Sequence, residues 1–127
     1  MKKTVLAHRK GFTLLAYSAL IFFGCFTFPI FNLTDAEHRY FTWLTLLTPC
    51  IAYGETGLLL SILHERKVRK IAVIALLTTV LGFLCRYLLE FGEISNVYNF
   101  TPANVALHLF AAVAINVLTA YTAPPDD

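Results

Sequence analysis

The chain has 127 residues, of which 57% are hydrophobic and only 14% are charged. A soluble domain carries roughly a quarter charged residues, because its surface must be wetted. The 10 Lys and Arg residues and the 8 Asp and Glu residues fall mostly in three short clusters. This composition excludes a soluble globular enzyme and a disordered tail, and a net charge of +2 gives no basis for a nucleic-acid partner.

Four apolar stretches are long enough to cross a bilayer as helices. A hydrocarbon core ~30 Å thick requires about 20 residues at a rise of ~1.5 Å per residue. The stretches lie at about 12–31, 40–63, 71–91 and 102–121. Thr101 followed by Pro102 is typical of an N-cap and the first helical position. The sequence therefore predicts an all-α fold, in which residues 1–127 form one domain, a four-helix transmembrane bundle.

Short connectors favour an antiparallel bundle in which helices that are neighbours in sequence pack together. Small residues within the apolar stretches allow two helix backbones to approach closely. These residues are Ser18, Gly24, Gly54, Gly57 and Gly82. They form no clean G-x-x-x-G motif, so no dimer surface can be assigned from them.

The distribution of Lys and Arg predicts the orientation of the helices. Eight of these residues belong to the N-terminal segment and the second connector: Lys2, Lys3, Arg9, Lys10, Arg66, Lys67, Arg69 and Lys70. The opposite side has only Arg39, in the first connector. Because positively charged segments stay in the cytoplasm, we expect both termini there and a multi-pass protein of the cell membrane, plasma or inner.

Residues at the ends of the segments agree with this orientation. Tyr40 and Trp43 lie at the outer end of the second segment, and Tyr121 lies at the inner end of the fourth, where amphipathic rings prefer the interface. The basic second connector, with Arg66, Lys67, Arg69 and Lys70, would lie against anionic lipid headgroups.

Polar groups at membrane depth are costly and tend to face a bundle interior or an aqueous cavity. The candidate intramembrane polar site consists of Glu55, Arg86, Glu90, Asn104, His108 and Asn116. Glu55 lies ~12 Å from the inner end of its segment. Two readings stay open for it: a carboxylate that binds a proton or cation, or a neutral acid that hydrogen-bonds Thr78, Thr79 or Asn116 on a neighbouring helix.

Arg86 and Glu90 lie four residues apart and therefore share a helix face, which Glu93 would extend if the helix continued. They form either a salt-bridged cap at the interface or an outer site where Arg86 receives an anionic group. His108 and Asn104 lie at a similar depth on the fourth segment. His108 is predicted to be a hydrogen-bonded interior histidine; a titrating switch or a metal or haem ligand is less favoured.

No motif for catalysis or cofactor binding occurs, so we predict neither an enzyme nor a bound cofactor or metal. Cys25, Cys50 and Cys85 lack metal-ligand spacing and are expected to be buried structural thiols. No stretch is specific enough to assign a family.

Two functions remain. The first is an accessory or interaction protein: an assembly factor, an immunity-type protein or a small subunit bound to a larger membrane protein. The second is a homo-oligomeric small transporter or channel protomer. In that protein Glu55 would be the coupling carboxylate, and Arg86, Glu90 and His108 would line an outer vestibule.

Overall fold

A computed structural model describes residues 2–30 and 43–123, and within these ranges the chain is helical with no strand. The helices are α1 (Lys2–Ala7), α2 (Arg9–Phe26), α3 (Trp43–Leu63), α4 (Val68–Leu89), α5 (Ile94–Asn99) and α6 (Pro102–Thr122). The predicted all-α class is confirmed. The first connector, the side chains of Tyr40 and Trp43, and the C-terminal tail lie outside the described residues.

Three of the described helices are long and apolar enough to cross a membrane. The segments are Leu46–Leu63, Val68–Leu89 and Pro102–Thr122. They support a membrane protein, as the composition predicts. Helix α2 coincides with the first apolar stretch, but Arg9 and Lys10 occupy its first turn and lower its mean hydropathy.

The ends of the helices follow local chemistry. Helix α2 ends at Phe26, earlier than the predicted residue 31, because Pro29 disfavours helical backbone at the residue before it and cannot donate a backbone hydrogen bond. Helix α4 ends at Leu89 and does not continue to Glu93, since Gly92 adopts a positive φ of 83°. The predicted start of α6 is confirmed: the side chain of Thr101 accepts a hydrogen bond from the Asn104 amide at 3.3 Å.

The helices pair differently from the expected order. Helix α2 packs most extensively on α4, and α3 packs on α6; α4 also contacts α6, and α2 contacts α3. Helices α3 and α4 are joined by the short turn 64–67, yet they contact each other little. The expectation that sequence neighbours pack together is therefore wrong for this pair. The buried apolar side chains between the helices include Ala16, Leu20, Tyr53, Leu60, Leu63, Ile71, Ala112 and Ala120.

Glycines explain these pairings, because they allow the backbones of α2 and α4 to touch. A Cβ added at Gly82 would lie 2.5 Å from the carbonyl oxygen of Ile21 and 2.9 Å from the Cα of Gly24. On the other side of the core, a Cβ at Gly57 would lie 2.9 Å from the carbonyl oxygen of Asn116 on α6. Three of the five predicted small positions thus lie at close helix contacts.

Replacement of Gly82 by Ala should destabilise the fold by about 1–3 kcal/mol, because the added methyl group must push α2 away from α4. The matched control is Gly11→Ala, since a Cβ at Gly11 meets nothing within 4 Å. That variant should be neutral or gain up to ~1 kcal/mol from helix propensity. Unfolding by sodium dodecyl sulfate in mixed micelles, followed by circular dichroism, measures both; equal stabilities of the two variants would contradict the close contact.

Candidate functional site

The interior of the molecule contains a tyrosine–histidine pair. The hydroxyl of Tyr53 on α3 lies 2.8 Å from Nε2 of His108 on α6, and neither residue has exposed surface. The rings of Phe28 and Phe83 lie 5.4 Å and 5.2 Å from the imidazole ring, between centroids. Nδ1 of His108 is buried and has no hydrogen-bond partner. His108 is therefore an interior group bonded through one nitrogen and enclosed by aromatic rings.

A second interior contact joins the same two helices closer to their cytoplasmic ends in the predicted orientation. The hydroxyl of Thr56 donates to Oδ1 of Asn116 at 2.6 Å, and Nδ2 of Asn116 donates to the carbonyl of Ala112 at 2.7 Å. Asn116 is fully buried and Thr56 is 4% exposed. The Asn116 amide is thus occupied by α3 and by its own helix, beside the close approach at Gly57.

Asn104 ties the short helix α5 to the start of α6. Its side-chain nitrogen donates to the carbonyls of Tyr98 at 3.3 Å and Asn99 at 3.2 Å. The residue is 2% exposed. The sequence predicted Asn104 beside His108 on one helix face. In the structure, Asn104 also holds the connector before α6 in place.

A similar tyrosine–histidine pair lies at the C-terminal end of α3. The hydroxyl of Tyr17 on α2 lies 3.0 Å from Nε2 of His64, which follows the last residue of α3. Burial lowers the pKa of His64, and the nearby cations Lys70, Arg9 and Lys67 lower it further. The lowered pKa favours the neutral imidazole, which is the form that can accept a hydrogen bond from the Tyr17 hydroxyl.

The two pairs provide a matched test. Tyr53→Phe would leave both ring nitrogens of His108 without a partner in a dry interior, and should cost about 1–3 kcal/mol of unfolding free energy. Tyr17→Phe removes the same atom at the half-buried pair, where water replaces the hydroxyl, and should cost roughly 1 kcal/mol or less. Detergent unfolding curves of the two variants give the comparison; a loss in Tyr17→Phe equal to or larger than that in Tyr53→Phe would contradict the expected effect of burial.

Arg86 and Glu90 form the predicted salt bridge, with 3.0 Å between Nε and Oε1. Their side chains are only 19% and 27% exposed. The other carboxylate oxygen of Glu90 accepts a hydrogen bond from Ser95 at 2.7 Å. Nη1 of Arg86 also donates to the carbonyl of Cys25, in the last turn of α2, at 2.9 Å.

The Arg86 contact belongs to a wider pattern at helix C-termini. Arg9 donates to the carbonyl of Leu63, the last residue of α3, at 2.7 Å. Nε of Arg66 donates to the carbonyl of Ala120 in the last turn of α6 at 3.4 Å. Asn96 donates to the carbonyls of Tyr87 and Glu90 at the end of α4, at 3.0 Å and 2.8 Å.

Each of the four long described helices therefore has a terminal carbonyl bonded by a side chain from another segment. These carbonyls have no partner within their own helix and carry the negative end of the helix dipole. The sequence predicted a role in topology for Arg9 and Arg66, contact with lipid headgroups for Arg66, and a salt bridge or an anion site for Arg86, but no cap. The three arginine caps could not be predicted because the donor and the acceptor lie 54 to 61 residues apart in sequence.

Replacement of Arg86 by Met removes the bond to Cys25 and leaves Glu90 without its cation, so it should cost about 1–3 kcal/mol. Glu90→Gln keeps the arginine and its bond to α2, and the amide oxygen of Gln can still accept a hydrogen bond, so the variant should cost about 1 kcal/mol or less. Detergent unfolding separates the two expectations. If Glu90→Gln were as damaging as Arg86→Met, the ion pair within α4, and not the bond to α2, would account for the stability that Arg86 provides.

Glu55 lies away from these groups, on the exposed surface of α3. Its side chain is exposed and makes no hydrogen bond or ion pair to any described residue. Thr78, Thr79 and Asn116, the partners expected for a packed, neutral acid, form no hydrogen bond with Glu55. Thr78 donates to the carbonyls of Ile74 and Ala75, and the Thr79 hydroxyl has no partner.

The expectation that all three cysteines are buried is wrong for one of them. Cys25 is buried and Cys85 is half-buried, but Cys50 is exposed on α3, so it is not a buried thiol.

An apolar groove of about 580 Å³ lies between α2 and α4, with Phe22, Phe26 and Leu88 in its wall.

The structure thus distributes the six candidate residues over four places. His108 and Asn116 lie in the interior between α3 and α6, and Asn104 lies at the start of α6. Arg86 and Glu90 lie at the end of α4, while Glu55 lies on the exposed surface. No group of three or more His, Cys, Asp or Glu residues with metal-binding geometry occurs in ranges 2–30 and 43–123. Comparisons with protein-family models, with curated proteins and with solved structures found no match for this chain.

Proposed function

We propose that this chain is an accessory or interaction protein of the cell membrane, one that binds the transmembrane helices of a larger membrane protein. In this proposal α2, α3, α4 and α6 form a four-helix transmembrane bundle with both termini in the cytoplasm. The observation that carries the proposal is the placement of Glu55 on the exposed, apolar surface of α3, whereas Tyr53 bonds to His108 and Thr56 bonds to Asn116 in the interior.

The interior supports a structural role for most of the candidate residues. His108, Asn116 and Tyr53 have no exposed surface, and Thr56 is 4% exposed. The close contacts at Gly24, Gly57 and Gly82 bring the helix backbones together on both sides of the core. Polar groups that are buried and hydrogen-bonded in this way specify how helices pack.

Glu55 has the opposite environment. A carboxylate on the lipid-facing side of a membrane helix costs several kcal/mol by insertion scales, on the order of 2.5–3.5 kcal/mol for an Asp at the helix centre. Such residues normally face a protein interior or an aqueous cavity. A partner helix seated on this side of α3 supplies that environment.

The charge distribution supports the proposed orientation. Arg9 and Arg66 cap the ends of α3 and α6 on one side, and Lys67, Arg69 and Lys70 are beside them. The basic turn would then lie at the cytoplasmic leaflet, where anionic headgroups attract Lys and Arg. Exposure of Arg66, Lys67, Arg69 and Lys70 fits this contact.

The transporter hypothesis receives less support. An outer vestibule requires Arg86, Glu90 and His108 to line a common opening. Arg86 and Glu90 bond to each other and to neighbouring segments, and His108 has no exposed surface. The exposed Glu55 remains the one feature that an oligomeric transporter would use.

The two functions are separated by size and by flux. Solubilised gently from its own membrane, the full chain should migrate in a complex of defined mass that contains one other membrane protein at near-stoichiometric level. Purified alone and reconstituted in phosphatidylcholine vesicles, it should leave an imposed pH gradient intact, and Glu55→Gln should behave identically. A homo-oligomer that dissipates the gradient, and fails to do so as Glu55→Gln, would establish the transporter instead.

A further inference from the structure

The exposed side of α3 carries Glu55 within a continuous apolar strip. Leu47, Ile51 and Glu55 are spaced by four residues, and Leu58 follows three residues later, so all four lie on one side of the helix. Leu47, Ile51 and Leu58 are 49%, 58% and 39% exposed. We call these four residues the Glu55 face. Its chemistry is a flat hydrocarbon surface with one carboxylate near its middle.

The carboxylate fixes the chemistry of what covers this surface. Lipid chains offer it no hydrogen-bond donor, so a carboxylate covered by lipid alone is left without a partner. A cation on a neighbouring helix satisfies it directly, because a charge-assisted hydrogen bond is stronger than a neutral one and strengthens in a low-dielectric medium.

A second copy of this chain supplies no such cation. Arg86 is the sole Lys or Arg within the four apolar stretches 12–31, 40–63, 71–91 and 102–121. It lies ~27 Å from the start of α4, whereas Glu55 lies ~12 Å from the end of α3, and the turn 64–67 places these two helix ends on the same side. Arg86 is also committed to Glu90 and to the Cys25 carbonyl. A parallel dimer through the Glu55 face would bring two carboxylates together with no cation between them, and like charges repel.

We infer that the Glu55 face binds a transmembrane helix of a different protein, one that carries a Lys or Arg ~12 Å from its cytoplasmic end and pairs this cation with Glu55. This inference rests on the proposed function and adds to it the chemical class of the partner. The apolar residues on both sides of Glu55 pack against the partner helix, and the ion pair sets its depth.

The cation pairing can be tested with a defined probe, before any partner is known. The probe is a synthetic transmembrane peptide of Leu and Ala with a single Lys at the matching depth, labelled with an energy-transfer acceptor. The full chain, labelled with a donor at its C terminus, is reconstituted in phosphatidylcholine vesicles. The Lys peptide should associate between about threefold and thirtyfold more tightly than the same peptide with Leu at that position, the range of interhelical polar contacts.

Variants of the chain assign that preference to Glu55. Glu55→Leu should abolish the preference for the Lys peptide, while Glu90→Gln, which changes a carboxylate outside the face, should retain it. Glu55 makes no described bond, so circular dichroism of Glu55→Leu should match that of the unaltered chain. Equal binding of the Lys and Leu peptides to the unaltered chain would overturn the inference.

Cross-linking in the native membrane distinguishes failure of the inference from failure of the proposed function. A photoreactive residue at Ile51 should capture a second membrane protein through a helix that contains Lys or Arg, whereas one at Leu77 of α4, which is 62% exposed, should not. Glu55→Lys should abolish this adduct, and replacement of the partner's cation by Glu should restore it. An adduct with a helix that lacks a cation would overturn the inference and keep the proposed function; an adduct with a second copy or with lipid alone would overturn both.

Discussion

The bonding of helix C-terminal carbonyls by side chains from other segments is the interaction on which the rest of this structure depends. A helix that ends near a bilayer leaves carbonyls without intrahelical donors, and water becomes scarcer with depth. Here Arg9, Arg66, Arg86 and Asn96 supply the donors for α3, α6, α2 and α4. Each of these bonds also fixes the end of one helix to another segment. The same contacts that satisfy the backbone therefore determine which helix ends lie together.

Between these ends, the helices are held by two kinds of contact. Gly24 and Gly82 allow α2 and α4 to touch along their backbones, and Gly57 does the same for α3 against α6. The bonds of Tyr53 to His108 and of Thr56 to Asn116 then fix α3 on α6. The carboxylate of Glu55 differs from these interior groups, because it is exposed and bonds to no described residue.

Composition and hydropathy predicted the helical class, the approximate helix bounds and the start of α6, because these depend on local properties of the chain. The salt bridge of Arg86 with Glu90 was also predictable, since the two residues lie one helical turn apart. The pairing of α2 with α4 was not predictable, because a rule based on loop length carries no information about which glycines meet. The exposure of Glu55 could not be read from the sequence either. Helix α3 is apolar on all sides, so its hydrophobic pattern does not identify the side that faces the core.

The caps have a consequence for the order in which the protein acquires its structure. Arg86 follows Cys25 by 61 residues, and Leu63 follows Arg9 by 54 residues. During synthesis, the C-terminal carbonyl of α2 therefore receives its donor only after Arg86 has been made. Arg9, at the start of α2, receives its acceptor only after Leu63 has been made. Only the bonds of Asn96 to α4 form between close neighbours, at separations of 9 and 6 residues. A fragment of the chain that ends before Arg86 therefore lacks the side chain that bonds the C-terminal carbonyl of α2.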